Sequence, residues 1–369
     1  MYLHERDRWT DFTWDDAAIL PLVSRARFAQ GKLLGSMQAL GFNLDTEAFA
    51  RVLQSEIISS SIVEGVALDL AKVRSSVARR LGTNDPAPHL STHDVDGAVD
   101  VALDASLHYA EPVTGSRFCD WHAALFPTGR SGMRNIVVGE YRKTPMSVVS
   151  GPIGKERIHF QAPDAQEVPA LMEGLIAWIE APVYSDEKKM LEPLVAAGVA
   201  HLGFLTVHPF EDGNGRIARA LLELMLCRGD GDHRRFYSLS SHILDHREEY
   251  YAALEQAQKG GRDITGWLVW FLNAVIGAIC ESESVLEGVV KRAGFWRGVD
   301  GSSLNERQRK VLTLLTDDFE GKLTAQKWAK LCKVSPDTAL RDINALMKQG
   351  ILRKSSAGGR STAYEIVGF

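Results

Sequence analysis

The sequence predicts a mainly α-helical protein in which β structure is confined to two short hairpins. Three observations lead there. Apolar residues recur three and four apart over most of the 369 residues, the spacing that gives a helix one apolar stripe. Strict alternation, the mark of a half-buried strand, is scarce and clusters in two places. A Gly/Ser-rich stretch, "RGVDGSSLN", sets off a last segment from everything before it. Apolar content of 45% is ordinary for a globular chain, and the length suggests two or three domains.

The first part, residues 1–95, reads as an N-terminal helical domain. Its segments "AAILPLVSRARFAQGKLLGSMQAL", "TEAFARVLQSEIISSSIV" and "LDLAKVRSSVARRL" all carry the helical spacing. The Pro- and His-bearing loop "GTNDPAPHLSTHDVD" follows as a boundary. In the middle part, residues 96–295, "MSVVSGPIGKERIHF" reads as a hairpin, because two β-prone arms flank turn signals. Its Gly-Pro-Ile-Gly-Lys is not a P-loop, since that motif needs glycine where Val149 stands. Helices are expected from Gln166 to about Arg292. The most apolar run, "WLVWFLNAVIGAIC" from Trp267, is read as a buried core helix, too short for a membrane span and interrupted by Asn273.

The last part, residues 301–369, has its own pattern. "NERQRKVLTLLT" and "TAQKWAKLC" read as helices, the second N-capped by Thr324. "SPDTALRDINALMKQG" reads as a third, with Ser335 as N-cap, Pro336 at the first helical position and Gly350 past the end. The arms "ILRKS" and "STAYEIV" then form a hairpin. Three helices and a hairpin resemble a winged helix-turn-helix. That resemblance makes the third helix a DNA-reading helix, with Thr338 and Arg341 outward and Arg353, Lys354 and Arg360 of the wing facing phosphates. Asp337 and Asp342 would oppose a DNA backbone, and dimerisation or docking is the competing use of such a module.

Charge is unevenly spread. From Gly301 onward there are twelve Lys/Arg against seven Asp/Glu, whereas the first 300 residues hold thirty against forty. A basic end on an acidic chain suggests a nucleic-acid-facing module or a basic solvated face. The four cysteines, Cys119, Cys227, Cys280 and Cys332, lack C-x-x-C spacing, which argues against a zinc site and against a disulfide scaffold. The start "MYLHERDRWT" has no apolar signal-peptide stretch. A cytoplasmic location and no membrane partner are the expectation.

The chemistry concentrates in "HPFEDGNGRIAR", His208 to Arg219, set between the apolar runs "AGVAHLGFLTV" and "ALLELMLC". Two glycines interrupt helix there, so one helix ends near Pro209 and another begins near Arg216. Gly213 and Gly215 sit where a helix N-terminus presents free N–H groups, a ready anion site. Arg216 and Arg219, three apart, can hold two phosphates. Asp212 is an oxygen ligand suited to Mg²⁺, and His208 has the pKa range of a general base. A turn between core helices with local salt bridges explains a lone His or Arg, but not the conjunction.

This run resembles, without departure, the Fic signature His-x-Phe-x-Asp/Glu-Gly-Asn-Gly-Arg-x-x-Arg. The resemblance implies a Fic-type helical core and transfer of AMP from ATP to a Ser, Thr or Tyr hydroxyl of a target protein, which could be the chain itself. It makes His208 the catalytic base, Asp212 the Mg²⁺ ligand and Gly213, Asn214 and Gly215 the anion hole. Arg216 would hold the β-phosphate, Arg219 the γ-phosphate, and Phe210 would anchor the loop. The hairpin takes the place of a flap that clamps the target by strand addition, with Val148, Val149 and Ser150 as its target-binding edge. "REEYYAALEQAQ" matches a region lining the adenosine pocket, which names Tyr251, Leu254 and Gln258. "RWTDFTW", "QGKLLGSM" and "WHAALFPTGRSGM" look like a bacterial Fic subfamily with an N-terminal helical domain.

Upstream, "SSSIVEGV" resembles the inhibitory Ser/Thr-x-x-x-Glu-Gly/Asn motif of Fic relatives through Ser60, Glu64 and Gly65. It implies that Glu64 pairs with Arg219 in bidentate geometry and displaces the γ-phosphate. Removal of AMP, transfer of another group on the same fold, or a DNA-binding regulator with a nucleotide-sensing core are the alternatives. A homodimer is among the assemblies the sequence allows. The pairs His89/His93 and His242/His246 have H-x-x-x-H spacing without the glutamate of a zinc protease, and both are read as structural.

Overall fold

The computed structural model describes all residues except 1, 7–9, 39–41, 83–90, 152–154, 156, 182–190, 300–302, 317–318, 320, 356–361 and 369. At 38, 42–45, 283–290, 293 and 297 it describes the backbone alone. The chain forms two compact units, Met1–Glu283 and Ser284–Phe369.

The first unit begins with the helices α1 (Asp16–Gln38), α2 (Phe42–Val63), α3 (Leu70–Leu81), α4 (His93–Leu107) and α5 (Gly115–Leu125). Two-residue strands β1 (Arg130–Ser131) and β2 (Arg134–Asn135) pair, then β3 (Ser147–Ser150) pairs antiparallel with β4 (Arg157–Gln161). The helices α6 (Val168–Glu180), α7 (Pro193–Val207), α8 (Asn214–Asp230), α9 (Leu239–Asp245), α10 (Arg247–Lys259) and α11 (Thr265–Gly298) complete it, and the division between units falls within α11.

The centre is α7 against α8. All of its residues from Leu194 to Val207 except Ala196 are buried, because "AGVAHLGFLTV" carries apolar residues on every face. Each large apolar side chain so placed contributes roughly 1.5–3 kcal/mol relative to exposure. Pro193 starts α7, and the Glu192 carboxylate caps it by accepting from Leu194 N at 2.6 Å and Val195 N at 3.1 Å. α4, α5 and α2 pack on α8, and α6 packs on α7. The apolar run of α11 also belongs to this core: Trp267, Leu268, Phe271 and Leu272 are buried. Its length, however, does not exclude a span. The helix is longer than the run, and the window Thr265–Ser282 is apolar and long enough to cross a membrane while 50% buried. Packing, not length, marks it as a core helix.

α2 is fastened along its length. Glu56, buried, accepts from Ser238 Oγ at 2.7 Å and Ser240 N at 3.0 Å, and also bonds Ser240 Oγ. These groups form the N-terminus of α9, where a carboxylate is favoured. Ser59 Oγ meets Ser241 Oγ at 3.0 Å. Gly65, at φ +76°, ends the helix while Val66 N bonds Ser61 O at 2.9 Å.

The second unit contains α12 (Glu306–Thr316), β5 (Leu323–Thr324), α13 (Ala325–Cys332), α14 (Pro336–Lys348), β6 (Leu352–Lys354) and β7 (Ala363–Ile366), with antiparallel strand order β5-β7-β6. Trp328, Val311, Leu312, Ile343 and Leu346 fill its core. Thr324 and Ser335 are the N-caps, accepting from Lys327 N and Thr338 N. β5 is not among the sequence expectations, being too short to show alternation. A second difference concerns Asp342. It faces inward, bonded by Arg307 Nε at 2.8 Å and Asn305 Nδ2 at 3.0 Å, so it does not oppose a ligand on the outer face. Arg341 is exposed, whereas Arg353 pairs with Glu365 at 2.8 Å and Arg360 lies outside the described residues.

Candidate active site

The loop between α7 and α8 is shaped by its own residues. His208 ends α7 in a left-handed conformation, φ +50°, with its N–H bonded to Phe204 O at 2.9 Å. A non-glycine residue there is strained and needs support. Asn214 provides part of it: its Oδ1 accepts from Phe210 N at 2.9 Å and its Nδ2 donates to Phe210 O at 2.7 Å. Phe210 is fully buried and stacks on His122 at 4.3 Å.

His208 Nδ1 lies 3.3 Å from Leu205 O, an acceptor only, which assigns the proton to Nδ1 and the lone pair to Nε2. Burial pushes its pKa down to about 4, and the Arg142 charge works in the same direction. The imidazole is therefore neutral near pH 7.

Gly213, at φ +80°, caps α8, and a Cβ there would come within 2.7 Å of the Phe126 ring. A Cβ on Gly215 would meet Glu64 Oε1 at 1.9 Å, so the glycine admits that carboxylate to the helix N-terminus. Arg216 lies over the Phe126 ring, 4.7 Å from its centroid. Among the described residues, Arg216 Nε and Arg219 Nη1 are buried without a hydrogen-bond partner, a state that suits them to receive a further acceptor.

The structure brings the distant Ser60–Glu64 segment here. Arg219, buried, donates from Nε to Ser60 Oγ at 2.9 Å and from Nη2 to Ser60 O at 2.7 Å and Glu64 Oε1 at 2.9 Å. The expected bidentate pair is thus a single charged contact: the Ser60 hydroxyl takes Nε, and the Ser60 carbonyl shares Nη2 with Glu64. Burial is the largest influence and opposes the charge of Arg219, but Glu64 together with Tyr250 and Tyr251 outweighs it, and the guanidinium pKa is raised.

Asp212 accepts from Gly213 N at 2.5 Å through Oδ1 and from Ser131 Oγ through Oδ2. Each oxygen keeps a lone pair, and a single hard carboxylate beside two arginines suits Mg²⁺, which binds through one carboxylate plus phosphate oxygens. The residues fit the ion.

Several contributors escaped sequence reading. Arg142 is buried and donates to three carbonyls: His208 at 2.8 Å, Thr144 at 3.0 Å and Pro163 at 2.6 Å. Its own N–H bonds Pro209 O at 2.8 Å. His122 accepts from Gly139 N at 3.1 Å, and burial lowers its pKa to about 4. Glu211 receives Val137 N at 3.2 Å. Arg142 lies within no motif, while His122 falls inside "WHAALFPTGRSGM" and Glu211 stands at a variable position of the Fic signature.

The hairpin carries a bulge between Val148 and Val149, with Val148 half-buried and Val149 and Ser150 exposed. Ser150 Oγ bonds His159 Nε2 at 2.5 Å, and His159 Nδ1 bonds Glu255 at 2.7 Å, which ties the hairpin to α10. On α10, Tyr251 is partly exposed beside Val63 O, and Leu254 is buried. Gln258 is spent on Leu205 O at 3.1 Å. His89 lies outside the described residues, and His93 opens α4. His242 and His246 meet a third group, Glu281.

Residues 112–226 match the Fic/DOC family, 2–83 a domain of unknown function (DUF4172), and 307–363 the DeoR-like helix-turn-helix domain. Among curated proteins, the chain is 24% identical to the Protein adenylyltransferase Fic of Culex quinquefasciatus over 62% of its own length and 41% of that protein's. It is 25% identical to that of Drosophila grimshawi over 54% and 36%. The chain thus spans about two fifths of the length of these relatives. A Fic family protein from Desulfovibrio desulfuricans G20 shares the fold with a TM-score of 0.55 at 22% identity, covering 97% of this chain and 98% of the other. A Fic domain containing signaling protein from Bacteroides thetaiotaomicron gives 0.50 at 22%, covering 75% and 98%.

Proposed function

From the premise that the chain carries a Fic/DOC family domain, residues 112–226, we propose that it is a protein adenylyltransferase restrained by its own Glu64. The target hydroxyl oxygen attacks the α-phosphorus of ATP, a new P–O bond forms, and the bond to pyrophosphate breaks. His208 Nε2 takes the hydroxyl proton. The carbonyl of Leu205 on Nδ1 and the neutral state of the ring support this role. Gly213, Asn214 and Gly215 offer N–H groups to phosphate oxygens. Arg216 and Arg219 bring the two partnerless nitrogens that a polyphosphate would satisfy. Asp212 would hold Mg²⁺, which when bound neutralises phosphate charge. Val148, Val149 and Ser150 offer an edge for an extended target segment.

The observation that carries the restrained state is the Arg219–Glu64 contact at 2.9 Å. While Glu64 occupies that nitrogen, a γ-phosphate meets both a taken donor and a like charge. Glu64→Gly is therefore expected to raise incorporation of radiolabelled AMP into the chain and lysate proteins at least tenfold, and Glu64→Gly with His208→Ala to abolish it. Equal labelling of wild type and Glu64→Gly would refute the restraint. Undiminished labelling by Glu64→Gly with His208→Ala would refute the base.

A second reading rests on the DeoR-like match over 307–363 and the exposed Arg341. In it the C-terminal unit binds DNA, and the Fic domain acts as a nucleotide-dependent regulator. Removal of AMP by the same site is compatible with Glu64 beside the phosphate cradle. A cytoplasmic setting completes the proposal.

A further inference from the structure

One cluster of donor atoms lies outside the chemistry above. His242 belongs to α9, and His246 forms the junction between α9 and α10. Their rings stack with centroids 4.1 Å apart and planes 24° apart. His246 Nδ1 faces the His242 carbonyl at 3.0 Å, which fixes the proton on Nδ1 and leaves Nε2 a bare lone pair. This is how outer partners orient metal-binding histidines. His242 Nδ1 lies 2.8 Å from Glu281 Oε1 on α11, with one proton between them. A ring nitrogen from each histidine and a Glu281 oxygen all lie within 4.8 Å of one another.

The pocket for the His242 ring is built into α11. A Cβ on Gly277 would come within 2.3 Å of the ring. Gly277 and Glu281 are one helical turn apart, so the niche and the carboxylate come from one face. Two imidazoles and one carboxylate form a donor set that borderline divalent ions favour. Ligands of a tetrahedral ion at about 2.0–2.1 Å stand roughly 3.3 Å apart, so binding replaces the shared proton and turns the stacked rings until both lone pairs meet at the ion. Glu281 is 46% exposed, so the donor set can be reached from solvent.

We propose that His242, His246 and Glu281 bind a divalent transition-metal ion of the Zn²⁺ class, with a fourth position open to water. The ion ties the α9–α10 junction to α11. Cysteine spacing could not reveal the site, because it uses no thiolate, and its third ligand lies far along the chain.

The test is competition of the tag-free, EDTA-stripped full-length chain with a chromophoric chelator for Zn²⁺, together with the visible spectrum of the Co²⁺ form. The expected result is one equivalent of Zn²⁺ and the intense absorption of four-coordinate Co²⁺. His246→Ala and the exposed Glu281→Gln should each weaken binding by at least about tenfold, the scale on which even outer-shell changes act. Circular dichroism establishes that each variant folds, and Glu281→Gln decides the matter if His246→Ala does not. Asp212→Asn should leave the stoichiometry unchanged. Equal affinity in wild type and the folded variants, or a six-coordinate Co²⁺ spectrum, overturns the proposal.

Discussion

At the scale of single residues, His208 depends on what holds its carbonyl as much as on what its ring touches. The strained backbone at φ +50° is fixed by Arg142, whose guanidinium reaches three carbonyls that no lysine could span together. Arg142→Lys should keep the charge but lose the geometry. Leaving buried carbonyls unpaired costs about 1–3 kcal/mol each. We expect a lower midpoint in urea and a fall in kcat of the Glu64→Gly enzyme larger than any change in KM for ATP. The lowered histidine pKa values set a pH dependence. His208 and His122 titrate near 4 and His201 near 3, against an ordinary 6.5. In the unfolded chain they gain protons below pH 6.5, while in the folded chain they stay neutral. Their contribution to stability is therefore complete above 6.5 and is lost as pH falls toward 4, at roughly 1.4 kcal/mol per pH unit per group. Urea unfolding at pH 7.5, 6 and 5 should show this decline, and labelling by Glu64→Gly should have no acid limb between pH 6 and 7.5. His208 itself was legible because it stands in a contiguous motif. Arg142 was not, because its work is to bond backbone carbonyls, and no residue pattern records which carbonyls are orphaned.

At the scale of elements, α2 is the mobile question in an otherwise packed core. Glu64 reaches Arg219 only because α2 is docked, and Glu56 docks it on the first turn of α9. Glu56→Ala removes the acceptor for three donors in a buried setting. It should cost a few kcal/mol and, by loosening α2, raise basal AMP labelling while leaving His208 and the phosphate cradle intact. Unchanged labelling with lowered stability would separate α2 docking from restraint. The two expected hairpins and most helices were readable from turn residues and periodicity, and so were the caps Thr324 and Ser335; α4, α5 and the β1–β2 pair were not among the expectations, the last because its strands are two residues long. The inward face of Asp342 was not, since it is decided by Arg307 on another helix. Nor was the one-contact geometry at Arg219, since Ser60 uses its carbonyl as well as its hydroxyl.

At the scale of the whole molecule, the chain divides into an acidic first unit and a basic second one. The second has its own core around Trp328 and its own caps, which gives a fragment from Ser284 the means to fold alone. If it binds DNA, anisotropy with labelled duplex should show affinity that falls steeply with salt, and Arg341→Ala with Lys354→Ala should flatten that slope by about two phosphate contacts. Salt-insensitive or absent binding would leave docking as its use. Composition made the asymmetry visible, but which basic groups are available was not: Arg353 is engaged by Glu365.

The guanidinium of Arg219 is sealed from solvent, and one of its nitrogens has no hydrogen-bond partner among the described residues. A cation so placed requires a resident counter-ion at all times. Glu64 is that counter-ion in the resting chain, and a phosphate would be its replacement. Occupancy, in this view, is never zero: the fold is built to hold one anion at this spot, and it supplies its own until another arrives. Under the proposed function, deleting Glu64 does more than release a brake. It leaves the protein dependent on an anion from outside, so that release from restraint and a need for nucleotide become a single property of the resting state.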